Sequence, residues 1–250
     1  MRRRSLIALF AIAIALPVAV HAQGRGGAAA PPPTARASAP IDLTGYWVAV
    51  VNEDWRYRMV TPPKGEYGGV PITKEALQIV NNWDPTADEK AGEQCKSYGA
   101  GAVMRLPARF HITWQDDSTL KVEVDAGTQT RLFRFAPAAA PTVPPTWQGD
   151  STAQWERGGG RGGPPAGGSL TVLTKNMRAG YLRKNGVPYS ANATVTEYFD
   201  LSPSPGGQML VVTTVVDDPR YLLQPLIVSS HFKKEADGSK WDPTPCSARW

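Results

Sequence analysis

The chain has 250 residues, 42% hydrophobic and 20% charged, with 24 Gly, 23 Pro, 8 Trp, 8 Tyr and 6 Phe. That apolar and aromatic content can fill a core, which excludes a disordered chain, and no long apolar run follows the first twenty-odd positions, which excludes a polytopic helical membrane protein. The formal charge is +5, from 27 Lys and Arg against 22 Asp and Glu.

Met1-Arg2-Arg3-Arg4 is a positive start, Leu6 to Val20 is almost unbroken apolar sequence, and Val20-His21-Ala22 places small residues before a cleavage point. Together they predict an export leader, residues 1–22, cut after Ala22. The apolar run favours the ordinary Sec route, although the arginine pair also fits twin-arginine export. A periplasmic or secreted protein is expected, with no transmembrane segment once the leader is gone. Arg2, Arg3 and Arg4 leave with it, so the balance becomes 24 against 22, or +2. The basic isoelectric point is then mostly a property of the leader and implies no nucleic-acid partner. Residues 23–40 are mainly Gly, Ala, Pro, Arg and Ser and read as a disordered linker.

A single domain is expected over residues 41–250, interrupted by low-complexity loops at 136–146 and 157–168. Its elements begin with β-like runs at Gly45 to Val51 and Tyr57 to Val60. Thr73 to Val80 is the best helix: Thr73 suits an N-cap, apolar positions recur at helical spacing, and Asp84-Pro85 lies just beyond. Ala87 to Gln94 adds a helical turn or two. Arg109 to Gln115 and Thr119 to Asp125 alternate with period two, through Phe110, Ile112, Trp114 and through Leu120, Val122, Val124, and Thr128 to Phe135 comes next. Asp116-Asp117-Ser118 and Ala126-Gly127 separate these three runs as hairpin turns would. Further strands are predicted at Asp150 to Glu156, Ser169 to Lys175, Ala191 to Phe199, Gln208 to Val216 and Leu226 to Lys233. About ten short strands with tight turns point to an all-β fold with one or two short helices. The expectation is a single antiparallel barrel, because closing a meander leaves no edge exposed.

Two cysteines, Cys95 and Cys246, are present. In an exported chain they are expected to pair, tying the C-terminal tail to the first third of the domain; no CxxC or nearby His suggests a metal instead.

Catalytic signatures are sparse. There is no Gly-x-Ser-x-Gly elbow, no phosphate loop, and the glycine-rich tract at 158–168 precedes a strand rather than a helix. His111 and His231 survive processing but lack metal-binding spacing, so neither metal nor cofactor is expected. Glu197 shares strand parity with Val195 and Phe199 and should point inward. A carboxylate in an apolar barrel would have a raised pKa and could act as acid or base, with His111, Asp125 or Tyr198 as weaker helpers. Arg131, which alternates with Phe133 and Phe135, is the alternative: a structural ion pair with Glu197. Asp217-Asp218-Pro219 reads as a turn. The stretch from Arg178 to Ser190 carries two Tyr, three cations and Asn-Gly, and could be a binding loop for an anionic or aromatic ligand or a packed Ω-loop. Trp47, Trp114, Arg131, Tyr181, Arg183 and Tyr189 are therefore the candidate ligand-binding residues.

Gly45-Tyr46-Trp47 resembles the Gly-x-Trp that opens lipocalin-like barrels, where the Trp plugs the floor. Trp147-Gln148-Gly149-Asp150-Ser151 with Trp155-Glu156, then Ser169-Leu170-Thr171-Val172, then Asp218-Pro219-Arg220-Tyr221 with Pro225, resemble in order a functionally uncharacterised group of exported bacterial proteins. Here the 157–168 tract stands where that group has a tight turn. The resemblance implies a lipocalin-like barrel and an exported location, and brings no catalytic residue. Three functions stay open: a module binding a small apolar or amphipathic molecule inside the barrel; a barrel enzyme (isomerase, lyase or hydrolase) using Glu197; and an envelope-associated structural or interaction protein. Oligomeric state is left open.

Overall fold

The computed structural model describes residues 32–135, 144–158, 167–205 and 207–249. The expected leader, the first half of the linker and most of both low-complexity loops lie outside them. The chain divides between Pro32 and Pro33 into two units, and the described strands and helices all belong to the second.

In chain order the elements are β1 Gly45–Val50, α1 Trp55–Arg58, α2 Lys74–Asn82, α3 Pro85–Lys90, β2 Arg109–Asp116, β3 Thr119–Val124, β4 Gln129–Arg134, β5 Asp150–Arg157, β6 Gly168–Lys175, β7 Gly180–Arg183, β8 Val187–Tyr189, β9 Thr194–Ser204, β10 Gly207–Asp217 and β11 Leu226–Glu235, with two single 3-10 turns at Lys96–Tyr98 and Val103–Arg105. Nine strands close a barrel in the order β1-β11-β10-β9-β6-β5-β4-β3-β2. β1 shuts it, pairing antiparallel with both β11 and β2. This is the all-β single barrel that the alternating runs imply. One seam differs: β4 and β5 pair in parallel, Phe133 opposite Ser151. β7 and β8 leave the wall as a separate hairpin.

Ring contacts between strands that are not neighbours show what fills the barrel. Phe110 of β2 meets Phe232 of β11 at 4.9 Å, and Phe133 of β4 meets Phe199 of β9 at 5.5 Å. Trp47, Ile112, Leu120, Leu170 and Leu210 are also fully buried. Side chains of this size contribute about 1.5–3 kcal/mol each on burial. One end of this core is covered by an aromatic cluster, Trp114, Phe135 and Trp155, with centroids 5.1–6.4 Å apart. There the end of the expected linker is fastened to the barrel: Trp155 donates its indole N–H to the Ala35 carbonyl at 2.8 Å, and Arg36 N–H donates to the Asp117 carbonyl at 3.0 Å.

The other end carries the helices and the β7–β8 hairpin over a second apolar core built from Val70, Ile72, Ala76, Val80, Met177, Leu182, Val187, Tyr189, Val195 and Val216. α2 starts where expected, since Thr73 Oγ1 accepts from Ala76 N–H, and Asp84 caps α3 through Thr86 N–H. Residues 57–60 do not form the expected strand. Trp55–Arg58 is a single helical turn with no side-chain cap, held instead by Arg58, which is 3% exposed and donates Nε–H to the Arg105 carbonyl at 2.8 Å. Tertiary contact overrides local β preference over so short a run. With α1 the described helices number three rather than one or two. Among the described residues no helix is long and apolar enough to cross a membrane.

Cys95 and Cys246 form a disulfide across 151 residues, with Cα atoms 5.1 Å apart. Opening a loop of that length by Cys95→Ser with Cys246→Ser should lower the unfolding free energy by about 4–5 kcal/mol in the chain-entropy picture. Urea melts of the two proteins measure it, and a difference under about 1 kcal/mol would show that the tail is held by its other contacts.

Candidate functional site

Glu197 points inward as its parity requires and is 0% exposed. What faces it is Arg131, 1% exposed, in a bidentate pair at 2.9 and 2.6 Å. Arg131 Nη2 also donates to Thr174 Oγ1 at 3.2 Å, and Thr174 shares a 2.8 Å hydroxyl contact with Ser151. The layer joins β4, β5, β6 and β9 and separates the barrel core from the core beneath the hairpin. Both carboxylate oxygens are occupied by a guanidinium that cannot give up its proton, which is the geometry of a structural ion pair.

The other residues singled out in the sequence are dispersed. Tyr198 lies on the outer face at 40% exposure, one strand position from Glu197 and on the opposite side of the wall. His111 also lies outside, stacked 4.0 Å from Tyr46 and 3.4 Å from Glu123, while His231 lies 3.3 Å from Glu53. Asp125 accepts from the Arg109 and Ala126 backbone N–H groups at 2.8 and 2.7 Å; burial raises its pKa against those bonds. Trp47 is core, its indole N–H given to the Leu43 carbonyl at 2.9 Å, and Trp114 belongs to the aromatic cluster at the far end. Tyr181 gives its hydroxyl proton to Asp88 at 2.9 Å, with burial and that negative charge both raising its pKa. Tyr189 is fully buried, its ring and hydroxyl against Gly99, Gly101 and Gly180, where any side chain would collide. Among the described residues no three His, Cys, Asp or Glu side chains gather as a metal site requires.

Arg183 is the exception. The stretch 178–190 is the β7–β8 hairpin, turned at Asn185-Gly186. Gly186 has φ +82°, and a Cβ there would strike the Trp83 ring. Asn185 Nδ2 donates to the Pro63 and Glu66 carbonyls at 2.9 and 2.7 Å, clamping the 60–70 loop onto the hairpin. At the hairpin's other foot, buried Asp218 accepts from Ser190 N–H at 2.6 Å and Ser190 Oγ–H at 2.8 Å. Between clamped loop, hairpin and the start of β11 opens a cleft of about 280 Å³, lined by Asp54, Tyr57, Gly68, Gly69, Val70, Arg105, Leu182, Arg183 and residues 226–228.

The cleft has two chemically different walls. Val70, Leu226, Ile227 and Val228 are apolar; Arg183 and Arg105 are cationic. Arg105 Nη2 pairs with Asp54 at 2.7 Å, and Arg58 behind it pairs with Glu53. Arg183 lies over the Tyr57 ring at 4.0 Å, and burial, then the charge of Arg105, lower its pKa. Lys184, next in sequence, donates to Tyr98 Oη at 2.5 Å, and burial pushes its ammonium down to about 7. Arg58 and Arg105 escape sequence reading. The one available sign is a cation inside the otherwise apolar run Ala100-Gly101-Ala102-Val103-Met104-Arg105-Leu106.

No family model, curated protein or solved structure matches this chain.

These buried charges generate two predictions. Glu197→Leu or Arg131→Met alone should each cost about 3–5 kcal/mol by stranding the partner, while the double variant should cost clearly less than the sum. A double-mutant cycle by urea melt reads the coupling, and additive losses would deny it. Lys184 has a folded pKa below its unfolded 10.5, so between about pH 7 and 10 the unfolded chain binds more protons and stability should rise with pH. Tyr181 and Tyr189, whose pKa values are raised, oppose this only above about 10. Melts at pH 7, 8.5 and 9.5 should show the rise, flattened in Lys184→Met; an equal rise in both proteins would assign it elsewhere.

Proposed function

We propose that this protein is an exported binding module that takes a small amphipathic molecule, and that it does so in the cleft at the hairpin end rather than inside the barrel. The observation that carries this reading is the cleft itself: an apolar wall facing a cationic one, on loops clamped to a rigid scaffold. The barrel interior is occupied by aromatic side chains and by the Arg131–Glu197 pair, which argues against a ligand there. The same pair weighs against an enzyme acting through Glu197. Export rests on the sequence of the first 22 residues, and the disulfide is in keeping with an oxidising compartment. The likeness to the uncharacterised exported group fits this picture of a barrel at the cell envelope.

A second reading, an envelope interaction protein, draws on one observation. Trp55, Met59 and Val60 are 59%, 51% and 54% exposed along a single short stretch beside the cleft.

Native mass spectrometry of protein recovered from the periplasm tests both. The expected result is a chain beginning at Gln23 carrying an extra mass of a few hundred daltons that denaturation removes. A bare chain that also shows no uptake from a lipid and metabolite extract would sink the binding reading, and a stable protein adduct would favour the second.

A further inference from the structure

Resting on that reading, we infer that the ligand carries an oxyanionic head, a carboxylate or a phosphate, held by Arg183 together with Arg105. Arg183 is 9% exposed, yet its side chain makes no hydrogen bond and no ion pair among the described residues. A guanidinium whose Nη1 is buried without a partner is costly unless an anion meets it, and among those residues the Tyr57 ring lies over one face of this one. Two neighbours are also incompletely satisfied: Arg105 Nη1 and Arg58 Nη2 are buried without a hydrogen-bond partner among the described residues, as is Arg183 Nη1. All three arginines line one small cavity of about 20 Å³, which adjoins the larger cleft through Tyr57, Arg105, Leu182 and Arg183. The small cavity has room for about one water-sized group. A polyatomic anion therefore has to lie in the larger cleft and present its oxygens to the Arg105–Arg183 wall.

The carboxylates around this wall are each engaged by another group. Glu53 is engaged by Arg58 and His231, Asp54 by Arg105, and Glu66 by the Gly68 N–H at 2.6 Å. Against these three carboxylates stand three guanidiniums and the Lys184 ammonium, which burial lowers to about 7, and Asp54 and Glu66 act on Arg183 through space. Arg183 and Arg105 offer the planar forks that match a carboxylate or phosphate edge, and Gly69 at φ +78° leaves Arg183 Nη2 uncovered by any side chain from that loop. Across the cleft, Val70, Leu226, Ile227 and Val228 supply the surface for the rest of the molecule.

Isothermal titration of the purified chain with sodium octanoate, octyl phosphate and neutral octanol decides the matter. Octanoate or octyl phosphate should bind at least ten-fold tighter than octanol, and the stronger of the two names the head group. Arg183→Gln should remove that preference while the unliganded chain keeps its fold by circular dichroism, since the Arg183 side chain makes no hydrogen bond among the described residues that the variant would lose. Should Arg183→Gln not fold, Ile227→Asp, on a side chain 65% exposed at the cleft, should repel the anion and weaken octanoate by a similar factor. Equal affinity for octanol and octanoate, or an Arg183→Gln chain that binds octanoate unchanged, overturns the oxyanion site but leaves amphipathic binding standing. Failure of all three probes, with no co-purifying molecule, brings down the binding reading itself.

Discussion

The Arg131–Glu197 pair sets what the rest of this barrel can do. Arg131 comes from β4 and Glu197 from β9, with β5 and β6 between them along the wall, so the pair is a chord across the interior. Two charges in an apolar interior are tolerable only when their geometry is good and their remaining donors and acceptors are met. Thr174 and Ser151, on the two intervening strands, meet part of this requirement, while Arg131 Nε stays buried without a partner among the described residues. That requirement couples closure of the sheet to its register. A one-residue slip of β9 would turn Glu197 to solvent and Tyr198 inward, leaving Arg131 alone inside the protein. The parallel β4–β5 seam is the weakest ladder in the wall, with two registered pairs, and it is the seam that the Arg131–Thr174 contact bridges.

The chord and the aromatic side chains occupy the interior, and the cleft proposed for binding lies at the hairpin end. There the scaffold is assembled from distant parts of the chain. Asn185 holds the 60–70 loop, Asp218 holds the foot of the hairpin, and Thr73 N–H donates to the Tyr221 carbonyl to dock α2 on the segment after β10. Asn185 Nδ2, the Asp218 carboxylate and the Thr73 N–H each have partners, though Asn185 Oδ1 is buried without one among the described residues, so the loops that frame the cleft are fixed by more than their own short-range preferences. The disulfide adds the C-terminal tail to the same end, close to Gln129 and Tyr98.

How much of this was legible in the sequence divides along physical lines. Strands with one buried face announced themselves by period-two alternation, and Phe110, Ile112, Trp114 or Leu120, Val122, Val124 read directly as inward sets. Glu197 was legible for the same reason: parity places a side chain whatever its chemistry, and the Arg131 partner followed from parity on a second strand. The α1 turn was not legible, because four residues of Trp, Arg, Tyr and Arg carry no periodicity and owe their conformation to Arg58 reaching the Arg105 carbonyl. The cleft was half legible. Its hairpin showed as a cationic, Tyr-bearing stretch with Asn-Gly at the turn, but Arg58, Asp54 and Arg105 join it through contacts spanning some 50 residues of chain that no local pattern encodes.

Arg131 and Arg183 pose the same electrostatic problem and reach different answers. Both are nearly or fully buried, and in both a planar aromatic ring lies near the guanidinium, Phe133 at 4.8 Å and Tyr57 at 4.0 Å. Arg131 has a carboxylate on its two terminal nitrogens; Arg183 has none among the described residues. A fold that can place Glu197 opposite one arginine from three strands along the wall shows that a buried counter-charge is within its means. At Arg183 Asp54 and Glu66 act only through space, no carboxylate among the described residues bonds the guanidinium, and the side chain borders a cleft. Stability alone would favour an apolar residue or an acid there, since an unmatched buried cation works against folding. The cost makes physical sense when the second half of the pair arrives with a ligand, because the energy withheld from the folded chain is then released on binding.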